Sequence, residues 1–208
     1  DIVKNGAKNA LKFIPIAQFG QLKTVDRTEI ESYNSIKNLM YEYISTQEVV
    51  RPLSIAVFGT PGSGKSFGIT EIASSIEAKL IKRLNFNLAQ FQSPLDLINA
   101  FHKVRDLSLE GKLPLVFFDE FDSALEEKLG WLKYFLAPMQ DGVFREGDST
   151  HPIGKAIFVF AGGTSSTYEA FCGEDIEDES EEKKFIQEFK SAKGPDFISR
   201  LRGYVNIL

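Results

Sequence analysis

The sequence predicts an α/β domain with a mostly parallel sheet covered by helices on both faces. Two observations predict it. The runs Ile55–Phe58, Leu115–Phe118 and Ala156–Phe160 are continuously apolar, as strands buried on both sides require. Stretches with apolar residues three and four apart lie between them, so strand and helix alternate and crossover connections give parallel pairing. With 208 residues the chain is long enough for one substantial core.

Residues 1–27 are weakly patterned and read as an N-terminal extension, with Ile14-Pro15-Ile16 a short extended piece. Thr28 and Glu31 have capping-box spacing, and Ile30, Tyr33, Ile36 or Lys37, Met40, Tyr41 and Ile44 continue a helical stripe to about Thr46. Pro52 punctuates before the strand at Ile55. Ile69, Ile72, Ala73 and Ile76 form the apolar face of the next helix, and Leu80 to Leu88 alternates as a second strand. Pro94 to about Leu107 reads as a helix with Leu95, Ile98, Phe101 and Val104 on one face. After the strand at Leu115, a helix is expected from Leu125 to Met139, carrying Leu129, Leu132, Phe135 and Leu136. A hairpin around Glu146-Gly147-Asp148 then leads to the strand at Ala156–Phe160. Glu174 to Glu182 is nearly all acidic and is followed by Lys183, Lys184 and Lys190, a solvated loop running into an exposed helix. Tyr204 to Leu208 reads as a last strand.

Bulk properties narrow the function classes. A net charge of −5 disfavours a general nucleic-acid binder. The single cysteine, Cys172, excludes an internal disulfide and suits a reducing, cytoplasmic setting. No apolar run reaches the roughly 18 residues of a membrane helix. Because the chain opens on Asp1 and stops on a strand, it reads as a piece of a longer protein.

The chemistry begins at Gly59-Thr60-Pro61-Gly62-Ser63-Gly64-Lys65-Ser66, which fits G-x-x-x-x-G-K-[ST] between a strand and a helix. Glycines there let successive N–H groups point at phosphate oxygens. The helix N-terminus adds partial positive charge, Lys65 would reach the β/γ-phosphates, and the Ser66 hydroxyl would go to Mg²⁺. The motif points to a nucleoside triphosphate bound with Mg²⁺. Asp119 and Glu120 close the strand Leu115–Phe118, at the edge where open α/β sheets bind ligands. Asp119 would hold the metal through water, and Glu120 would polarise a water for attack on the γ-phosphate. Adjacent acids of this kind suit hydrolysis; neither an acceptor site nor an arginine-rich lid for small-molecule phosphotransfer stands out.

With these motifs in order, residues 28–208 resemble the large αβα subdomain of an AAA+ ATPase. The resemblance implies a P-loop fold with a five-stranded sheet in the order 5-1-4-3-2 and a helical lid beyond Leu208. It implies a polar sensor residue after the strand at Ala156, supplied here by Thr164 or Ser165 where the family usually has Asn. It makes Arg200, in Gly194-Pro195-Asp196-Phe197-Ile198-Ser199-Arg200-Leu201, an arginine finger acting on a neighbouring subunit's site, with Arg202 second. Asn85 or Asn87 would restrain Glu120. The hairpin before the sensor strand is similar to that of Clp-type members, whereas the aromatic-glycine pore motif of protein unfoldases is not found and Phe91 is the nearest aromatic. The family implies a homo-oligomeric ring that hydrolyses ATP to remodel a macromolecular partner, with no membrane and no nucleic acid indicated. The alternative is an ATP-gated switch or a DNA-linked AAA+ helper with little turnover.

Overall fold

The computed structural model describes residues 16–46 and 48–207; Ile14, Pro15 and Leu208, named above, lie outside them. A short antiparallel hairpin, β1 (Ala17–Phe19) and β2 (Leu22–Thr24), precedes helix α1 (Arg27–Ser45). The central elements follow as β3 (Leu53–Gly59), α2 (Lys65–Glu77), β4 (Ile81–Asn87), α3 (Pro94–Leu109) and β5 (Leu113–Asp119). Then come α4 (Leu132–Asp141), the hairpin β6 (Val143–Glu146) and β7 (Ser149–Pro152), and β8 (Ile157–Ala161). The short α5 (Tyr168–Cys172), α6 (Glu179–Ser191), α7 (Gly194–Ile198) and β9 (Gly203–Ile207) complete the chain.

The sheet runs β4-β5-β8-β3-β9, and every neighbouring pair is parallel. Numbered along the chain, its strands lie in the expected order 5-1-4-3-2. Residues of β3 and β8 are buried throughout, and β5 up to its last residue, because helices cover both faces. Alternation along each strand then divides the core in two. Ala56, Phe58, Val116, Phe118, Phe158 and Phe160 pack on one side with Phe101, Phe135 and Phe197. Ile55, Val57, Leu115, Phe117, Ile157 and Val159 pack on the other with residues of α1 and α2. Phe118 lies 4.8 Å from Phe135 and 5.6 Å from Phe160, edge-on and stacked respectively, so the first face is filled largely by aromatic rings. The β1–β2 hairpin joins the second face, where Phe19 is buried edge-on against Tyr33.

Four local expectations give way. Tyr41, placed on the α1 stripe, is exposed, and Tyr43 is buried instead. Helix α1 is capped by Asp26, which accepts from the Glu29 amide at 2.9 Å, rather than by Thr28. Glu31 is free of a capping role and pairs with Arg27 at 2.8 Å. On α3 the buried face is Leu97, Ala100, Phe101 and Val104, while Leu95 points outward. The helix expected from Leu125 begins only at Leu132. Before it Leu125 and Glu127 bridge to each other, and Glu126 and Leu129 adopt left-handed angles that no continuous helix permits. This compact turn leads into the fully buried Trp131. The β6–β7 hairpin has the expected Gly147-Asp148 turn, and in the acidic α6 only Phe189 is fully buried.

Candidate nucleotide site

Gly59 ends β3 and Gly64, at φ 86°, turns the chain into α2, so the loop between them caps the carboxyl edge of the sheet. The turn at Gly64 requires the left-handed region, which glycine enters without penalty. No side chain caps α2, and Thr60, Pro61, Gly62 and Gly64 face solvent. A thirteen-residue helix thus presents its positive end to an open cradle. Lys65 Nζ donates to the carbonyls of Gly59 at 2.6 Å and Thr60 at 3.2 Å, which holds the ammonium over the loop. The Ser63 hydroxyl is buried with no partner. An uncapped helix, a lysine and an orphaned hydroxyl on one loop are the donor set a polyphosphate needs.

The carboxylates come from the next strands. Val57, Ala161 and Asp119 lie side by side in the ladders of β3, β8 and β5, which places Asp119 level with the loop. Burial raises the Asp119 carboxyl above its ordinary range; Arg83 opposes this, Glu120 adds to it, and Lys65 opposes it. Glu120 follows at φ 54°, a left-handed angle uncommon for a residue with a side chain, and its amide donates to Ala161 O at 2.9 Å. Its side chain passes over Gly163, where a Cβ would come within 2.7 Å of Glu120 Cγ. Of the two asparagines, Asn87 meets Glu120: its Nδ2 donates to Oε1 at 3.4 Å, while Asn85 accepts from Arg83 at 2.8 Å.

Two residues around this site escaped the sequence reading. Asp122 is buried and accepts from the amides of Gly163 and Thr164, each at 2.9 Å, from the amide of Ser165 at 3.2 Å, and from the Thr164 hydroxyl. Thr164 therefore directs its hydroxyl at Asp122. Arg83 lies over the Phe117 ring at 4.6 Å and donates to Thr70 at 3.2 Å; Thr70 in turn donates to Ser66 O at 2.6 Å. The sole sequence signal for either was position: an acid two residues beyond Glu120, and a basic residue in a strand beside β5.

Arg200 is not part of this cluster. The Arg202 amide donates to Ser54 O, at the opposite end of β3 from the loop. Arg200 sits there, bonded to Gln140 and to the Asp196 carbonyl, on an open cavity of about 480 Å³ that Arg51 and Arg202 also line. Phe91 is packed, with its ring 5.8 Å from Trp131.

A five-stranded parallel sheet with a glycine-rich loop after β3 and paired acids after β5 defines a P-loop domain of the AAA+ class. Residues 55–151, a little under half of the chain, match the family described as "ATPase family associated with various cellular activities (AAA)", which with the fold supports an AAA+ P-loop ATPase. No curated protein matches the sequence. In fold the chain is similar to the S. cerevisiae Hsp104-ADP complex, with TM-score 0.54 and 17% identity over 86% of this chain and 33% of that one. It is similar also to the Aeropyrum pernix ORC2 protein in its ADPNP-ADP complexes, with TM-score 0.54 and 16% identity over 88% of this chain and 48% of that one. NtrX from Brucella abortus in complex with ATP gives TM-score 0.52 and 13% identity over 90% and 38% of the respective chains. This chain thus spans a third to about half of the length of these proteins. No helix among the described residues is long and apolar enough to cross a membrane.

Proposed function

We propose that the chain binds ATP with Mg²⁺ at the Gly59–Ser66 loop and hydrolyses it, as the motor domain of an assembly that remodels a macromolecular partner. The observation that carries this reading is the convergence of the uncapped α2 N-terminus, Lys65, Asp119 and Glu120 on one sheet edge. The loop amides and Lys65 bind and orient the phosphates. Ser66 and Asp119 would hold Mg²⁺, which when bound neutralises charge on the β- and γ-phosphates. Glu120 accepts a proton from the attacking water, and Asn87 steers its carboxylate. Thr164, fixed by Asp122, sets the position of the Gly163–Ser165 loop beside Glu120. Arg200 lies at the far end of the sheet from its own loop, so its role as a finger requires a second copy. ADP, ADPNP and ATP in the three structures of similar fold support a nucleotide as ligand.

Steady-state ATP hydrolysis measured against protein concentration, for wild type and Arg200→Ala, tests the reading. Specific activity that climbs with concentration and collapses in the variant supports an oligomeric ATPase with a finger in trans. A flat rate indifferent to Arg200 would instead favour a nucleotide-gated switch.

A further inference from the structure

The chain has two histidines, and the fold brings both to one carboxylate on the β6–β7 hairpin, away from the nucleotide loop. His102 belongs to α3, Glu146 ends β6, and His151 lies on β7. His102 Nε2 is 3.0 Å and His151 Nε2 3.6 Å from the same atom, Glu146 Oε2. One ligand atom from each residue lies within 4.8 Å of the other two, the single such cluster among the described residues. We propose that His102, Glu146 and His151 bind a divalent transition-metal ion of the zinc type, which fastens the hairpin to α3.

Four arguments carry this. Bonds of about 2.0–2.2 Å to a tetrahedral ion put neighbouring ligand atoms about 3.3–3.5 Å apart, close to the two histidine–carboxylate separations already present. The donor set, two imidazole nitrogens and one carboxylate oxygen, suits zinc over the oxygen-preferring Mg²⁺. Both rings are held before any ion arrives: buried Phe144 meets His102 edge-on at 4.8 Å and His151 at 5.3 Å. Each histidine side chain keeps about a quarter of its surface exposed, so an ion has access. With the ion on Nε2, the neutral His151 ring carries its proton on Nδ1. Arg105, whose Nη1 lies 3.2 Å from that nitrogen, must then yield the contact and keep its 3.4 Å bond to Asp106. Three protein ligands leave a position for solvent or for a group from a partner.

The test is titration of chelator-stripped, nucleotide-free protein with Zn²⁺ by calorimetry and with Co²⁺ by visible absorption. The wild type is expected to take up one equivalent and to give the intense bands of tetrahedral cobalt. His102→Ala and His151→Gln should each lose both, while Cys172→Ser, which removes the one thiol, should keep them. His151→Gln lies on the hairpin and keeps a polar side chain beside Arg105, so it remains informative should His102→Ala disturb α3; circular dichroism checks each fold. Absence of uptake in the wild type overturns the proposal, as does uptake unchanged by both histidine replacements. Bands that vanish in Cys172→Ser would move the site to the thiol and overturn it equally.

Discussion

Thr164 is bound to Asp122 twice over, once through its amide and once through its hydroxyl, so the loop after β8 is tied to the loop after β5. Asp122 is only 4% exposed and takes four donors in all. Replacing it by Ala leaves the three backbone amides without a partner. Asp122→Ala should destabilise the domain by on the order of 3 kcal/mol, read from urea denaturation. Thr164→Val removes one of the four donors and should lose only about 1 kcal/mol.

Glu120 sits at an angle suited to glycine, in the residue proposed to accept the water proton. Glu120→Gly should therefore raise stability by up to about 1 kcal/mol while abolishing ATP turnover. Glu120→Gln keeps the angle and the length; it should abolish turnover and leave ATP binding within reach of the wild type. Thermal melts beside fluorescent-nucleotide binding and phosphate release separate the two effects.

Asp119 has a pH signature. Its folded pKa is raised by burial, so between the ordinary value of 3.8 and that raised value the folded state holds the proton more tightly. This group's contribution therefore falls as pH rises through the window and is unfavourable above it. Asp119→Asn should melt higher than the wild type at neutral pH, with the difference shrinking as pH falls through the window. Arg83→Met removes the charge that opposes the shift and should move the window upward. Melting temperatures at several pH values check both.

At Gly59, φ is 152° and an added Cβ would stand 2.6 Å from Ile207 O and 2.7 Å from Ser63 Oγ. Gly59→Ala should cost about 1–3 kcal/mol and disturb the end of β9 as well as the phosphate loop. A Cβ on Gly62 meets no atom within 4 Å, so Gly62→Ala bears the backbone penalty alone. Hydrogen exchange at Val205 and Asn206 should accelerate in the first variant and not in the second.

Much of this site was legible because its main parts are contiguous in sequence. Gly59–Ser66 and Asp119–Glu120 each sit at the end of an apolar strand, so local pattern alone locates them. Asp122 was not legible, since a lone acid beyond Glu120 looks like a surface residue until β5 and β8 bring Gly163 and Thr164 over it. His102 and His151 share the same difficulty: each is an isolated imidazole until α3 meets the hairpin. The turn at Leu125–Gly130 misled the pattern because apolar residues spaced like a helix there fill a compact corner instead. Leu95 misled it for a smaller reason, a helical face turned to put Leu97 and Phe101 inward.

Strand β9 touches two places at once. Its start follows Arg200, and Ile207 near its end leans on Gly59. A strand of this length spans roughly 15–17 Å and tolerates no slack, because each added residue inverts the side chains beyond it or displaces one end by about 3.3 Å. The strand is therefore a ruler: insertions and deletions should be tolerated on the β6–β7 turn and refused between Arg200 and Ile207.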